Sequence, residues 1–324
     1  MIVGRCLMSS KSKQKRKNRP TILPKYYPTA TTKMLRLPLK RTLNTKALKR
    51  CLFSTTASDD HPDVALLLER STCGLFATLT LNRPATHNAL SQGVIDGFYK
   101  HLDTLQHEQE LPRAVFLRAA GGKTFCAGGD LKKMRASGGQ SRAANTEEAM
   151  HLSGIFAALR SFPRPVIAMV DGPCFGGGVG IISSCDMAFA TSESTFALSE
   201  VLLGVIPATI SPFVIDRIGA SAASRYFLTA ERFDATEAKR IGLLHDVVGN
   251  LDDMEASLRT SIGRCSPMAL GATKELISHV SHTTPLQPGL RESTAEYLAD
   301  VRESVDGQEG MTAFIEKRKP NWFV

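Results

Sequence analysis

Residues 163–200 read PRPVIAMVDGPCFGGGVGIISSCDMAFATSESTFALSE. The apolar run VIAMV predicts a buried strand, which feeds three consecutive glycines, Gly176, Gly177 and Gly178, before VGIISSC predicts a helix. With no Cβ atoms in the way, a ligand carbonyl can approach main-chain N–H groups, and the helix start adds the positive end of its dipole. This is how a backbone stabilises developing negative charge. Taken alone, three glycines after a strand are more often a plain turn.

A second segment repeats the pattern. Residues 113–117, RAVFL, predict another short strand, and they lead through AAGGKTF to Cys126-Ala127-Gly128-Gly129-Asp130-Leu131-Lys132, small residues again set between a strand and a helix. Two such turns can build one oxyanion hole. At these residues the chain resembles the enoyl-CoA hydratase/isomerase (crotonase) superfamily, whose paired signatures are FxAGxDLK and, about fifty residues on, GxxxGGGxxL…CD…F…E. LNRPATHNAL (81–90), SEVLLGVIP (199–207), FLTAERFDATEAKRIGLLHDVV (227–248) and EGMTAFIEKRKPNW (309–322) extend the similarity, in family order, over roughly residues 63–322.

The resemblance implies an α/β fold, a crotonase-like spiral of ββα units with a C-terminal helical trimerisation region; composition alone gives only α/β. It divides the chain into a leader (1–58), a catalytic core (59–265) and an oligomerisation region (266–324). A doubly wound nucleotide fold is the rival, but GGGVG lacks GxGxxG spacing. By the same resemblance the N–H groups of Gly129 and Gly177 hold a thioester carbonyl. Ala127, Gly129, Asp130, Leu131 and Lys132 contact acyl-CoA, and Phe314 and Lys317 reach the nucleotide end of CoA from a neighbouring subunit. No cofactor is expected beyond the CoA of the substrate itself. In LNRPATHNAL, Ala85 stands where a basic residue is frequent, leaving Arg83 and His87 as substitutes.

Hydratases of this family usually carry two glutamates. The first, two residues after GGG, is Gly180 here; the second falls in register on Glu200, which becomes the expected acid/base. Three readings of the missing partner stay open: Glu200 serves both proton transfers, a nearby group substitutes, or the reaction needs only one proton shuttle. A pocket that uses the space at Gly180 for a branched or carboxylated chain is a related possibility. FALSEVLLGVIPATISPFVIDRIGASAASRYFLTAERFDA (196–235), with ATISPFV in place of the more usual GAGGTQ, most resembles the branch assigned to branched glutaconyl-CoA thioesters of leucine and isoprenoid breakdown, so a methylglutaconyl-CoA hydratase is the first reading. A general short-chain enoyl-CoA hydratase is second and a double-bond isomerase third.

Charge is divided unevenly along the 324 residues. Residues 1–58 hold 15 of the 40 Lys and Arg and none of the 31 Asp and Glu, leaving 25 basic and 31 acidic residues, net −6, in the rest. An acid-free leader rich in Arg, Lys, Ser and Thr resembles a mitochondrial transit peptide, which predicts the matrix as location and processing near Arg50–Ser54. Met34 is a second candidate start. An RNA-binding crotonase-like protein is the alternative of another class, but the basic residues sit in the leader and the body is acidic, so nucleic acid is not the expected partner. Seven scattered cysteines without CxxC spacing, and His87, His151 and His245 without partners at ligand spacing, predict no metal and a reducing compartment. No apolar run approaches the length that inserts in a membrane.

Local patterns predict the remaining elements. Residues 75–81 alternate as a strand. Ser91 opens a helix carrying Val94, Ile95, Phe98, Leu102 and Leu105. Residues 132–145 read as a mobile loop, Thr146 as a helix cap, Ser211 as the N-cap and Pro212 as the first-turn proline of a short helix ended by Gly219, and the chain from Pro267 as helices.

Overall fold

The computed structural model describes residues 64–323. The leader reading, the Arg50–Ser54 processing site and both candidate starts lie outside those residues.

Strands and helices follow in the order β1 Leu66–Arg70, β2 Phe76–Leu81, α1 Gln92–His107, β3 Ala114–Ala119, α2 Leu131–Ser137, α3 Arg142–Ser161, β4 Val166–Val170, β5 Cys174–Phe175 and α4 Gly177–Ser184. Then come β6 Met187–Ala190, β7 Thr195–Ala197, α5 Ser211–Thr229, β8 Phe233–Asp234, α6 Ala235–Arg240 and β9 Asp246–Val247. Four helices close the chain, α7 Leu251–Ile262, α8 Pro267–Val280, α9 Leu290–Glu303 and α10 Val305–Ile315. The larger sheet has the order β1-β2-β3-β4-β6-β9, antiparallel only between β1 and β2; the smaller is β5-β7-β8.

Parallel strands covered on both faces need apolar residues at every position, and Ala114, Val115, Phe116 and Leu117 are all fully buried. Successive side chains point to opposite faces. Val115 and Leu117 join a core with α1, α3, α4 and α5, whereas Ala114 and Phe116 join a second core closed by Leu251 and Ile262 of α7. Arg259 of α7 lies within the second core's edge, ion-paired to Glu255 at 2.5 Å and placed over the Phe116 ring. Burying an unpaired guanidinium there is costly, which the i,i+4 carboxylate prevents.

The predicted helix after Ser91 is α1: the Ser91 side chain accepts from the Val94 N–H, and the buried residues are the five expected. Ser211-Pro212 opens α5 as N1 and N2, with Ile210 as the N-cap. Gly219, at φ 75°, breaks the helical path and the chain then re-enters helix to Thr229.

The segment expected to be a loop at 132–145 is largely helical. Asp130 caps α2 by accepting from the Lys132 and Lys133 N–H groups, so the helix starts inside the stretch that looked irregular. Ser141, not Thr146, caps α3 through the Ala144 N–H. Thr146 lies one turn inside, its hydroxyl donating to the Arg142 carbonyl.

Candidate active site

β3 and β4 are parallel neighbours, so both chain segments leave the sheet at the same end. That end carries the two glycine turns. Cys126 pairs with Cys174 in a short parallel bridge, the Phe175 N–H donates to the Cys126 carbonyl at 2.9 Å, and Phe125 N–H donates to Pro173. Gly128 lies at φ +93°, and a Cβ on it would stand 3.0 Å from the Phe175 carbonyl oxygen and 3.5 Å from the Gly177 nitrogen. The first turn therefore lies directly against the second, an approach that only glycine permits.

The 81–90 stretch holds the first turn in place. Its His87 carbonyl accepts from Ala127 N–H, and Leu90 N–H donates to Gly128. Asn88, almost fully buried, donates to the Ala120 and Thr124 carbonyls and accepts from Arg83 N–H. Arg83 bonds the Ala89 carbonyl and stands 3.6 Å from Asp130, while His87 meets the Thr124 hydroxyl. Both side chains thus support the loop.

Gly177 is the first residue of α4, where N–H groups have no intrahelical acceptor. Among the described residues, neither the Gly129 N–H nor the Gly177 N–H donates to a backbone carbonyl outside the regular elements. A Cβ on Gly177 would lie 2.7 Å from Leu90 Cδ1, and one on Gly178 would lie 2.8 Å from Cys126 Cβ. The turn is thus packed against Leu90 and Cys126, with Gly177 itself partly exposed.

Glu200 begins the 3-10 turn after β7, and its carboxylate lies over the glycine turn: Oε1 is 2.9 Å from where a Cβ on Gly176 would be. Oε2 is buried with no hydrogen-bond partner. Burial pushes the Glu200 carboxyl above the usual carboxylate range, opposed in part by a backbone hydrogen bond. A carboxylate with one oxygen left without a donor over the turn that carries the Gly177 N–H is suited to exchange a proton with something bound there.

The space beside Gly180 is filled. A Cβ there would collide with Ile210, whose own Cβ is at 2.9 Å, and would press on Phe156 Cε1 at 3.2 Å. That packing leaves no room at Gly180 for an acyl branch, one of the possibilities the sequence left open, and a glutamate at 180 does not fit without moving Ile210. Even Gly180→Ala is expected to lower stability by about 1–3 kcal/mol, the usual cost of overpacking a filled core, measured by urea unfolding. An unchanged midpoint would show that Ile210 yields freely.

The structure groups Ala127, Gly129, Asp130, Leu131 and Lys132 at the first turn. Ala127, Leu131 and Lys132 are exposed, and the Asp130 carboxylate is occupied as a helix cap. Phe314 and Lys317 are not brought to this end by the chain's own fold. The neighbouring Gly310 packs on Trp322, whose carbonyl accepts from Arg113 at the opposite end of β3. Both residues are exposed, so a place for them at the site requires a second copy. Sequence reasoning missed Ile210 and Phe156 as the plug beside Gly180. It also missed Met134, whose sulfur lies 3.0 Å from where a Cβ on Gly129 would be. Among the described residues no group of three or more His, Cys, Asp or Glu is placed to hold a metal.

The family model described as enoyl-CoA hydratase/isomerase matches residues 74–323. The short-chain-enoyl-CoA hydratase of Clostridium acetobutylicum is 31% identical over 268 residues, 80% of this chain and 97% of that protein. The 2,3-dehydroadipyl-CoA hydratase of Escherichia coli is 30% identical over 247 residues, 75% of this chain and 93% of its relative. Among solved structures, an enoyl-CoA hydratase from Shewanella pealeana superposes with a TM-score of 0.76 at 34% identity, covering 82% of this chain and all of the other.

Proposed function

Because the chain belongs to the enoyl-CoA hydratase/isomerase family and is an enoyl-CoA hydratase-type enzyme, we propose that it adds water to a branched 2-enoyl-CoA thioester, methylglutaconyl-CoA or a related acyl group. The observation that carries this reading is the Glu200 carboxylate lying over the Gly176–Gly177 turn, one of its oxygens buried without a partner, with the Gly128–Gly129 turn packed against that turn. With the thioester oxygen between the Gly129 and Gly177 N–H groups, charge arriving on it as the enolate forms is met by fixed dipoles.

Glu200 then carries both proton transfers. Its carboxylate takes a proton from water as the water oxygen bonds to C3, electrons from the C2–C3 bond moving onto the thioester oxygen. The enolate collapses as C2 takes the proton back from Glu200, so water is added and the carboxylate is restored. Ile210 and Phe156 occupy the place of a second carboxylate, which supports a mechanism with one. The same economy suits isomerisation, in which Glu200 would carry a proton from C4 to C2 or the reverse.

The test is a panel of thioesters, methylglutaconyl-CoA, crotonyl-CoA and a 3-enoyl-CoA, with products identified by mass. Hydration of the first ahead of the second supports the proposal. Double-bond migration without gain of water would replace it by the isomerase reading.

The exposed apolar residues Ile277, Leu298, Val305, Met311, Phe314 and Ile315 on α8 to α10 support assembly as a homotrimer or a dimer of trimers. We place the enzyme in the mitochondrial matrix on the strength of its acid-free basic leader. Removal of residues 1–57 is accordingly expected to leave kcat and the oligomer unchanged. Loss of solubility or activity in the truncated protein, followed by light scattering and turnover, would make the leader part of the folded enzyme.

A further inference from the structure

His87 and Asn88, beside the first glycine turn, lie at φ 52° and 54°, the one adjacent pair of non-glycine residues in the left-handed region among those described. Such conformations persist only where surrounding contacts hold them, and they gather at sites that need a fixed geometry. Residues 87–89 and 120–125 belong to no helix or strand, so no ladder of hydrogen bonds does the holding. One side chain joins the two stretches instead. The Asn88 carboxamide is almost fully buried: Nδ2 donates to the Ala120 carbonyl at 3.0 Å and to the Thr124 carbonyl at 2.8 Å, and Oδ1 accepts from the Arg83 N–H at 2.8 Å. Asparagine is also among the few residues that accept a left-handed backbone.

The segment fixed in this way touches both glycine turns. On one side of Asn88 the His87 carbonyl accepts from the Ala127 N–H at 2.9 Å. On the other the Leu90 N–H donates to the Gly128 carbonyl at 2.8 Å, and Leu90 pairs with Gly129 in a short parallel bridge. The Leu90 side chain reaches the second turn, its Cδ1 lying 2.7 Å from where a Cβ on Gly177 would be. Residues 87–90 therefore meet Ala127, Gly128, Gly129 and Gly177, and a shift of that short stretch moves the two turns relative to each other.

We propose that Asn88 is a positioning residue of the reaction: without touching the substrate, its carboxamide sets the spacing of the Gly129 and Gly177 N–H groups. The proposal rests on the assignment of those two groups as the oxyanion donors and adds the side chain that fixes them. Dipoles stabilise developing charge most when they are set in place beforehand, and a misplacement of about 1 Å costs up to about 10²-fold in rate. A neutral thioester carbonyl depends on the same donors far less. Loss of the Asn88 amide is therefore expected to weaken the hold on an enolate while leaving thioester binding nearly intact.

Two ligands on the full chain separate these effects. Acetoacetyl-CoA loses a proton from C2 to give an enolate with its own ultraviolet band, so the pH at which the bound ligand ionises reports how well the donors carry negative charge. Butyryl-CoA, saturated and neutral, reports binding and an intact fold. Asn88→Gly removes the amide and leaves the left-handed backbone freely accessible. It is expected to raise the ionisation pH of bound acetoacetyl-CoA by about one unit, a tenfold change, and to lower kcat for hydration by about tenfold or more, while butyryl-CoA affinity changes less than about twofold. If Asn88→Gly does not fold, Asn88→Ser supplies the same readings. A purely structural asparagine would lower Tm and leave the ionisation of the bound ligand where it was. An ionisation that the wild type lowers below that of free acetoacetyl-CoA and the variant leaves in place overturns the role of Asn88 alone. One that the wild type does not lower refutes the two donors, and the proposal with them.

Discussion

Glu200→Gln is expected to lower kcat for enoyl-thioester hydration by about 10²-fold or more, the usual contribution of a positioned acid/base, with little change in thioester affinity. The amide keeps the shape of the side chain over Gly176 but cannot take a proton, and the donors of Gly129 and Gly177 are untouched. The same change is expected to stabilise the fold at neutral pH. Burial raises the Glu200 carboxyl in the folded state, so the unfolded chain releases that proton at lower pH than the native one. Between the two values the native state holds more protons, and stability falls as pH rises through that window. Below the unfolded value the penalty is absent, and above the folded value it is complete. Gln removes it, so Tm at pH 7 is expected to rise and the part of the pH dependence above the normal glutamate range to vanish. In the wild type the acidic limb of kcat/KM is expected at higher pH than an ordinary glutamate gives, because the base must be ionised. A Glu200→Gln enzyme of normal kcat, or a wild-type profile without an acidic limb above the ordinary glutamate range, would remove Glu200 from the chemistry.

Gly177→Val is expected to abolish most of the turnover. Its Cβ collides with Leu90, which is itself held by the Gly128 carbonyl, so relief of the clash pushes the two glycine turns apart. Loss of one oxyanion donor alone costs on the order of 3 kcal/mol in the barrier. Both kcat and kcat/KM are expected to fall together, since an interaction that strengthens in the transition state is lost. The fold should survive in a form detectable by circular dichroism. Turnover within a few-fold of wild type would mean that the Gly177 N–H holds no developing charge.

The local elements were legible because their signals are local. Ser91 and the five apolar positions after it specify α1 by cap and period alone, and VGIISSC after the glycines specifies α4. The polar, Gly-containing run KKMRASGGQSRAAN hid two helices, because Asp130 and Ser141 provide the caps while the charged residues face solvent. Caps are weak signals without an apolar stripe behind them.

Site assembly was legible only through the resemblance. No periodicity relates Gly128 to Gly177; the parallel pairing of β3 with β4 and the Cys126–Cys174 bridge put them side by side. The packing of Ile210 against Gly180 joins residues 30 positions apart and follows from the path of α5 over α4, which no local pattern records. Its trace in the sequence was a bulky Ile in ATISPFV together with a glycine where a carboxylate was expected.

Hydration of crotonyl-CoA in water enriched in both deuterium and oxygen-18 tests the one-carboxylate mechanism most directly. The wild-type product is predicted to carry one heavy oxygen at C3 and one deuterium at C2, and Glu200→Gln to form neither at an appreciable rate. Equal labelling by Glu200→Gln, or deuterium entering the acyl chain of the wild-type product without oxygen, would contradict water addition by Glu200 across the Gly129–Gly177 donors.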